Sequence, residues 1–247
     1  MPDLIISLIV ALVFSAIHIF GYRLTFLEST PRSVWLSVAG GVSVAYVFVH
    51  LLPELAEHQE GFREAAGSGG ALRQLESHIY LIALTGLAVF YGLDRLMKSS
   101  ALQEERAGRS KRPRAGAFWL HLGSFAVYNL LIGYLLLHRD ESDLRGLALY
   151  AFAMALHFIV NDHALREHHG ETYDHKGRWL LAATPLLGWF FGVFVTFDEL
   201  AIGALFAFLA GGVVLNVLKE ELPEERESRF WAFAVGAAAY AALLLAT

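Results

Sequence analysis

The chain has no cysteine, which excludes disulfide frameworks, thiolate metal sites and cysteine nucleophiles together. Charge is scarce as well: Asp, Glu, Lys and Arg supply 17% of the 247 residues, against about 25% in an ordinary soluble domain. There is no basic surplus of the kind a nucleic-acid partner requires, since the formal net charge is −5. Apolar residues fill the deficit, at 56% of the chain, and mean hydropathy is +0.48. Such a composition needs lipid as its solvent. The length would admit one or two soluble domains of about 100 to 200 residues, but apolar runs consume most of it and leave no room for a separate one.

A hydrocarbon core of about 30 Å is crossed by roughly 17 to 25 apolar residues in a helix. Eight runs of that kind occur, at about 4–20, 34–52, 79–96, 118–137, 147–164, 179–195, 200–218 and 230–246. The expected fold is therefore an all-α integral membrane bundle of eight transmembrane helices, in a single transmembrane domain over 1–247. The first run has Asp3 and no basic residue before it and no small-x-small cleavage site after it, so it reads as a retained helix rather than a signal peptide.

Basic residues set the orientation. With the N-terminus outside, 15 of the 19 Lys and Arg residues fall on the inner side and only Arg63, Arg73, Arg139 and Arg145 on the outer. Both termini are thus expected to be extracytoplasmic. The densest cluster, SSALQEERAGRSKRPRAG, reads as a cytoplasmic basic loop over 98–115, with topology as its role.

Two segments resemble each other internally. AGGVSVAYVFVHLLPEL at 39–55 and AGGVVLNVLKEELPEE at 210–225 both run from a double glycine to Leu-Pro-Glu, with the spacing differing by one residue. On the assigned topology they point in opposite directions, the pattern of an inverted repeat in a secondary transporter. The simpler reading is that small residues let helices approach closely and proline ends them.

Ionisable groups at membrane depth are costly and mark candidate sites. The fourth run places His121, Ser124, Tyr128 and Asn129 among apolar residues, and the fifth places His157, Asn161, Asp162 and His163 within two turns. His157 and Asn161 are neighbours at i and i+4, whereas Asp162 projects about 140° away from His157. Imidazole with carboxylate suits a divalent transition metal, with asparagine as a weaker carbonyl ligand. Interhelical hydrogen bonding by Asn129 and Asn161 around a buried His157 accounts for the same residues. His168, His169 and His175 follow in REHHGETYDHKGR, which reads as a solvated inner loop; one histidine cluster falls short of the several that a membrane di-iron oxygenase needs. His18 and His50 are single residues, expected to be interfacial or packed, and Glu220, Glu221, Glu224 and Glu225 a solvated cap.

These segments resemble the zinc/iron permease family, ZIP, over nearly the whole chain: three helices, a basic cytoplasmic loop, then five more, with the second and seventh carrying the double-glycine segments. The resemblance implies a metal site built from His-Asn-x-x-Asp-Gly on the fourth helix and His-Glu-x-Pro-x-Glu on the fifth. Here Tyr128-Asn129-Leu130-Leu131-Ile132-Gly133 keeps the asparagine but has Tyr128 and Ile132 at two ligand positions. His157-Phe158-Ile159-Val160-Asn161-Asp162 keeps the histidine, loses the first glutamate to Phe158 and shortens the second to Asp162. The expectation is a divalent cation, zinc foremost, as substrate of a reduced mononuclear site drawn from His157, Asp162, Asn129, Asn161 and His163. No organic cofactor and no catalytic activity are expected. A transport-inactive scaffold or metal sensor is the alternative, followed by an intramembrane zinc hydrolase, which lacks a convincing third ligand. The partners implied are a lipid bilayer of bacterial inner-membrane or plasma-membrane type and the cation itself, with a homodimer left open.

Overall fold

The computed structural model describes residues 2–24, 34–66, 78–108, 115–138, 144–221 and 229–246, which are almost wholly helical. In chain order the helices are α1 (Pro2–Phe20), α2 (Val34–Tyr46), α3 (Leu52–Ala66), α4 (Ile79–Arg106), α5 (Ala115–His138), α6 (Leu144–His169), α7 (Arg178–Phe194), α8 (Glu199–Glu221) and α9 (Phe230–Leu245). Two π-helical segments, Val47–Leu51 and Tyr173–Gly177, precede α3 and α7.

Seven helical stretches are long and apolar enough to cross a membrane, Leu4–Arg23, Val34–Phe62, Ile79–Arg106, Ala115–His138, Leu144–Arg166, Tyr173–Phe194 and Glu199–Lys219; Phe230–Leu245 is apolar but shorter. Their outward faces are apolar too. Ile5, Ile9 and Leu12 on α1, and Leu187, Phe190 and Phe194 on α7, are exposed at helical spacing, as expected of side chains that meet acyl tails. The protein is an integral membrane protein built as an all-helical assembly.

Three expectations need correction. The second helix does not stop at residue 52, and Pro53 does not end it: α2 passes through the π turn Val47–Leu51 directly into α3 and on to Ala66. Pro53 cannot donate to the carbonyl four residues back, and a π turn just upstream takes up the lost register without breaking the rod. Beyond it, PELAEHQEGFREA is too polar to register as an apolar run, yet it is helix. The basic loop is also shorter than 98–115, because α4 continues to Arg106 before Gly108, at φ +69°, turns the chain; residues 109–114 lie outside the described residues. Finally, REHHGETYDHKGR is no open loop, since α6 runs to His169 and the π segment resumes at Tyr173.

Chain contacts gather the helices into two compact units, Met1–Ser29 with Phe90–Phe194, and Thr30–Val89 with Val195–Thr247. In the first, α5 lies along α7, and α1 packs on α7 and α6. A Cβ on Gly133 would sit 2.1 Å from the Pro185 carbonyl oxygen, and one on Gly188 would sit 1.9 Å from that of Leu130. Only glycine permits backbones this close. Ser15 adds a hydrogen bond from its Oγ to the Ala182 carbonyl at 2.6 Å, and Trp189 donates to Ser7 Oγ at 2.9 Å, so α1 is tied to α7 at two levels.

The second unit repeats the device twice. Gly41 on α2 faces the Phe233 carbonyl and Gly236 on α9 faces that of Val38; Gly86 on α4 faces Phe208 and Gly211 on α8 faces Ala83, each with Cβ-to-oxygen separations of 1.9–2.3 Å. In every pair the glycine meets the carbonyl three residues before its partner glycine. The double glycines at 40–41 and 211–212 thus both serve helix crossings.

Candidate functional site

Within the first unit, α1, α5, α6 and the Tyr173–Gly177 segment converge on a buried polar centre. Phe14 and His18, four residues apart on α1, share one face and clasp the Phe158 ring of α6 at centroid distances of 5.0 and 4.8 Å. His18 is 1% exposed. Its Nδ1 donates to Asp162 Oδ1 at 2.8 Å, and its Nε2 accepts from Asn129 Nδ2 at 2.9 Å. The amide is a donor at that nitrogen, so the imidazole carries its proton on Nδ1, pointing at the carboxylate.

Tyr173 completes the set, donating its hydroxyl to the same Asp162 Oδ1 at 2.5 Å. Local sequence aims it there. Gly170, at φ +54°, closes α6, and Gly177 lies under the Tyr173 ring, where a Cβ would come within 2.6 Å of the ring edge. Arg166 on α6 clamps the segment through Asp174 at 2.9 Å. The other carboxylate oxygen, Asp162 Oδ2, is buried with no hydrogen-bond partner among the described residues, and Gly21 borders it, where even a Cβ would stand off by 3.4 Å.

A second set is built around His157, whose ring centroid lies 6.4 Å from that of Phe158. His157 Nε2 lies 2.9 Å both from Asn161 Nδ2, one turn along α6, and from the Tyr128 hydroxyl of α5. Tyr128 and Phe158 are fully buried, and the Phe90 ring stands edge-on to Tyr128 at 5.8 Å. No protein-family model matches the chain, and no curated protein matches it.

The five ligand candidates therefore divide. Asn129 and Asp162 meet at His18; His157 and Asn161 form their own pair; His163 is half-buried on α6. Among the described residues, no group of three or more His, Cys, Asp or Glu side chains stands close enough to hold a metal ion. His18, expected to be interfacial or packed, is instead the junction of the centre. Tyr128, read as a lost ligand position, bonds to the histidine it faces. Of the inner histidines, His175 is exposed, as a solvated residue should be, but His169 is 2% exposed against Phe118, which corrects its placement in a wet loop. The side chains of His168, Glu220 and Glu221 and the whole of Glu224 and Glu225 lie outside the described residues.

Chemically, both sets repeat one device: an asparagine amide capping a histidine Nε2. Turning either amide about its last torsion would present a carbonyl oxygen to the imidazole lone pair, which is repulsive unless a cation sits between them. Around His18 the carboxylate–imidazole pair is also the arrangement that orients histidine ligands in metal sites.

Proposed function

We propose that the chain is a divergent ZIP-like membrane protein that takes one divalent cation, zinc foremost, as substrate at a reduced mononuclear site centred on His18, Asn129 and Asp162. The observation that carries this reading is Asp162 Oδ2. A carboxylate oxygen buried without a partner costs on the order of several kcal/mol, and a cation beside it would offset that cost. His18 stands behind that carboxylate: its Nδ1 donates to Oδ1 and Asn129 holds its Nε2, so the two residues fix Asp162 while Oδ2 serves as the anionic ligand.

In this reading the bundle has eight spans. α9 supports that number by packing on α2 through Gly41 and Gly236. The two glycine-to-Leu-Pro-Glu segments form an inverted repeat, and the distribution of Lys and Arg places both termini outside a bacterial-type membrane. Binding is weak, because a single carboxylate leaves net positive charge in a low-dielectric setting.

Calorimetry with zinc on the purified protein tests the centre. Binding that is lost in Asp162→Asn and in His18→Gln is expected; binding of unchanged stoichiometry in both variants refutes it. Single cysteines introduced into a chain that has none test the topology, and labelling of residues 109–114 from outside intact cells would reverse it. The second reading, a transport-inactive scaffold, draws on the capping of both imidazoles by amides, and absence of any zinc binding to the wild-type protein would establish it over the first.

A further inference from the structure

Seven residues before Tyr128 on α5 stands His121, and seven residues after Asp162 on α6 stands His169. Each offset is about 10.5 Å of helix, and both run toward the same end of the two helices if these are antiparallel neighbours. His121 Nδ1 and His169 Nε2 approach to 3.3 Å, with the two rings 5.5 Å apart between centroids. Both side chains are buried, 5% and 2% exposed, His121 against Phe125 and His169 against Phe118.

We propose that His121 and His169 form a second binding site, for a divalent transition cation of the zinc class, at the inner ends of α5 and α6. The two nitrogens are hydrogen-bonded at 3.3 Å, and with that proton moved to the ring's other nitrogen the same separation fits chelation. With metal–nitrogen bonds of about 2.05 Å it gives a nitrogen–metal–nitrogen angle near 107°, close to tetrahedral. Each ring need only tilt to turn its lone pair off the line joining the nitrogens. Two imidazoles leave two coordination positions for water, so the cation is held loosely and can pass on.

His169 is the last residue of α6, where the helix dipole is negative and terminal carbonyls lack intrahelical donors. Imidazole pairs select zinc, copper, nickel or cobalt over magnesium or calcium, whose ligands are oxygens. The site shares no side chain with the His18–Asp162 centre, so it stands on this pair alone.

Cobalt(II) titration of the purified full-length protein tests it, because tetrahedral and octahedral cobalt differ in visible absorption. The titration is run in the Asp162→Asn background to silence the central site. One equivalent of cobalt with a tetrahedral spectrum is expected, displaced by zinc and insensitive to magnesium. His121→Gln and His169→Gln, which keep polar side chains of similar reach, should each weaken it by about tenfold or more, while His175→Ala changes nothing. The variants' melting temperatures must match the background, so that loss of binding reports ligation. Cobalt binding that persists in His121→Gln and His169→Gln, or no cobalt binding in the Asp162→Asn background, overturns the proposal. Failure of the central site reads differently: zinc stoichiometry then ignores Asp162→Asn but still falls in the two histidine variants.

Discussion

Reciprocal glycines join α2 to α9 and α4 to α8 in the second unit and α5 to α7 in the first, yet every buried histidine and aspartate among the described residues belongs to the first unit. Among its described residues the second unit buries Ser37, Ser43, Gln59 and Asn216 as polar side chains. It therefore packs its helices by backbone approach and apolar contact with no fully buried ionisable histidine or acid among the described residues. His18, Asp162, His157, His121 and His169 are not needed as packing material, and each carries a desolvation cost that apolar residues of similar size avoid. That asymmetry is the physical ground for assigning chemistry to the first unit and structure to the second.

The sharpest way to break the comparison is to damage the second unit at a crossing. Gly41→Leu forces a side chain into a position where even a Cβ lies 2.1 Å from the Phe233 oxygen and 2.7 Å from the Ala237 nitrogen. α2 and α9 must separate, at a cost of about 3 kcal/mol or more. The expected result is a collapse in melting temperature of the detergent-solubilised protein. A variant that melts within a few degrees of wild type would mean that the crossing is not where stability resides.

Next in size is a pair of variants in the first unit. His18→Phe alone leaves Asp162 buried beside Tyr173 without its imidazole partner, and removal of one member of a buried pair costs about 3 to 5 kcal/mol. His18→Phe with Asp162→Leu removes both, and most of that loss should return, because two apolar groups of similar volume can replace a buried polar pair at little or no net cost. Thermal unfolding of the single and double variants measures the difference. A double variant no more stable than the single would show that the pair is structural after all.

A smaller effect separates the two histidine sets. Tyr128→Phe removes one of the two hydrogen-bond partners of His157 Nε2 and leaves the Asn161 amide in place. The expected loss is about 1 kcal/mol of stability. Zinc affinity at the His18 centre should stay within about twofold, since no described hydrogen bond links the two sets. A much larger drop in affinity, read by calorimetry, would move the site to His157.

Much of this was legible in the sequence, and what was not has definite causes. Span positions follow from run length and hydropathy, because the membrane imposes them helix by helix. The His157–Asn161 contact is likewise local, one helical turn apart, and it appears as the spacing suggests. His18 was opaque for the opposite reason: its partners Asp162 and Asn129 are 144 and 111 residues away, and nothing near it in the first apolar run marks it. The Pro53 π turn escaped notice because a proline can be absorbed as well as obeyed. Tyr128 illustrates a limit of matching positions to a family motif, since a residue that cannot serve as the expected ligand still bonds to its neighbour.

The smallest expected effect is the most discriminating. Gly21→Ala introduces one methyl group 3.4 Å from Asp162 Oδ2 and 4.0 Å from its Cβ, ordinary van der Waals separations, at a backbone position with no positive φ. Stability should change by no more than about 0.5 kcal/mol, in either direction, because no neighbour has to move. The methyl nevertheless takes up the space beside the oxygen that lacks a hydrogen-bond partner. If that oxygen receives the cation, zinc affinity should fall several-fold while the melting temperature holds, an outcome that a purely structural Asp162 cannot produce. Equal affinity in Gly21→Ala and wild type would show that the cation does not approach Oδ2 from this side, and the carboxylate would then act only through its hydrogen bond to His18.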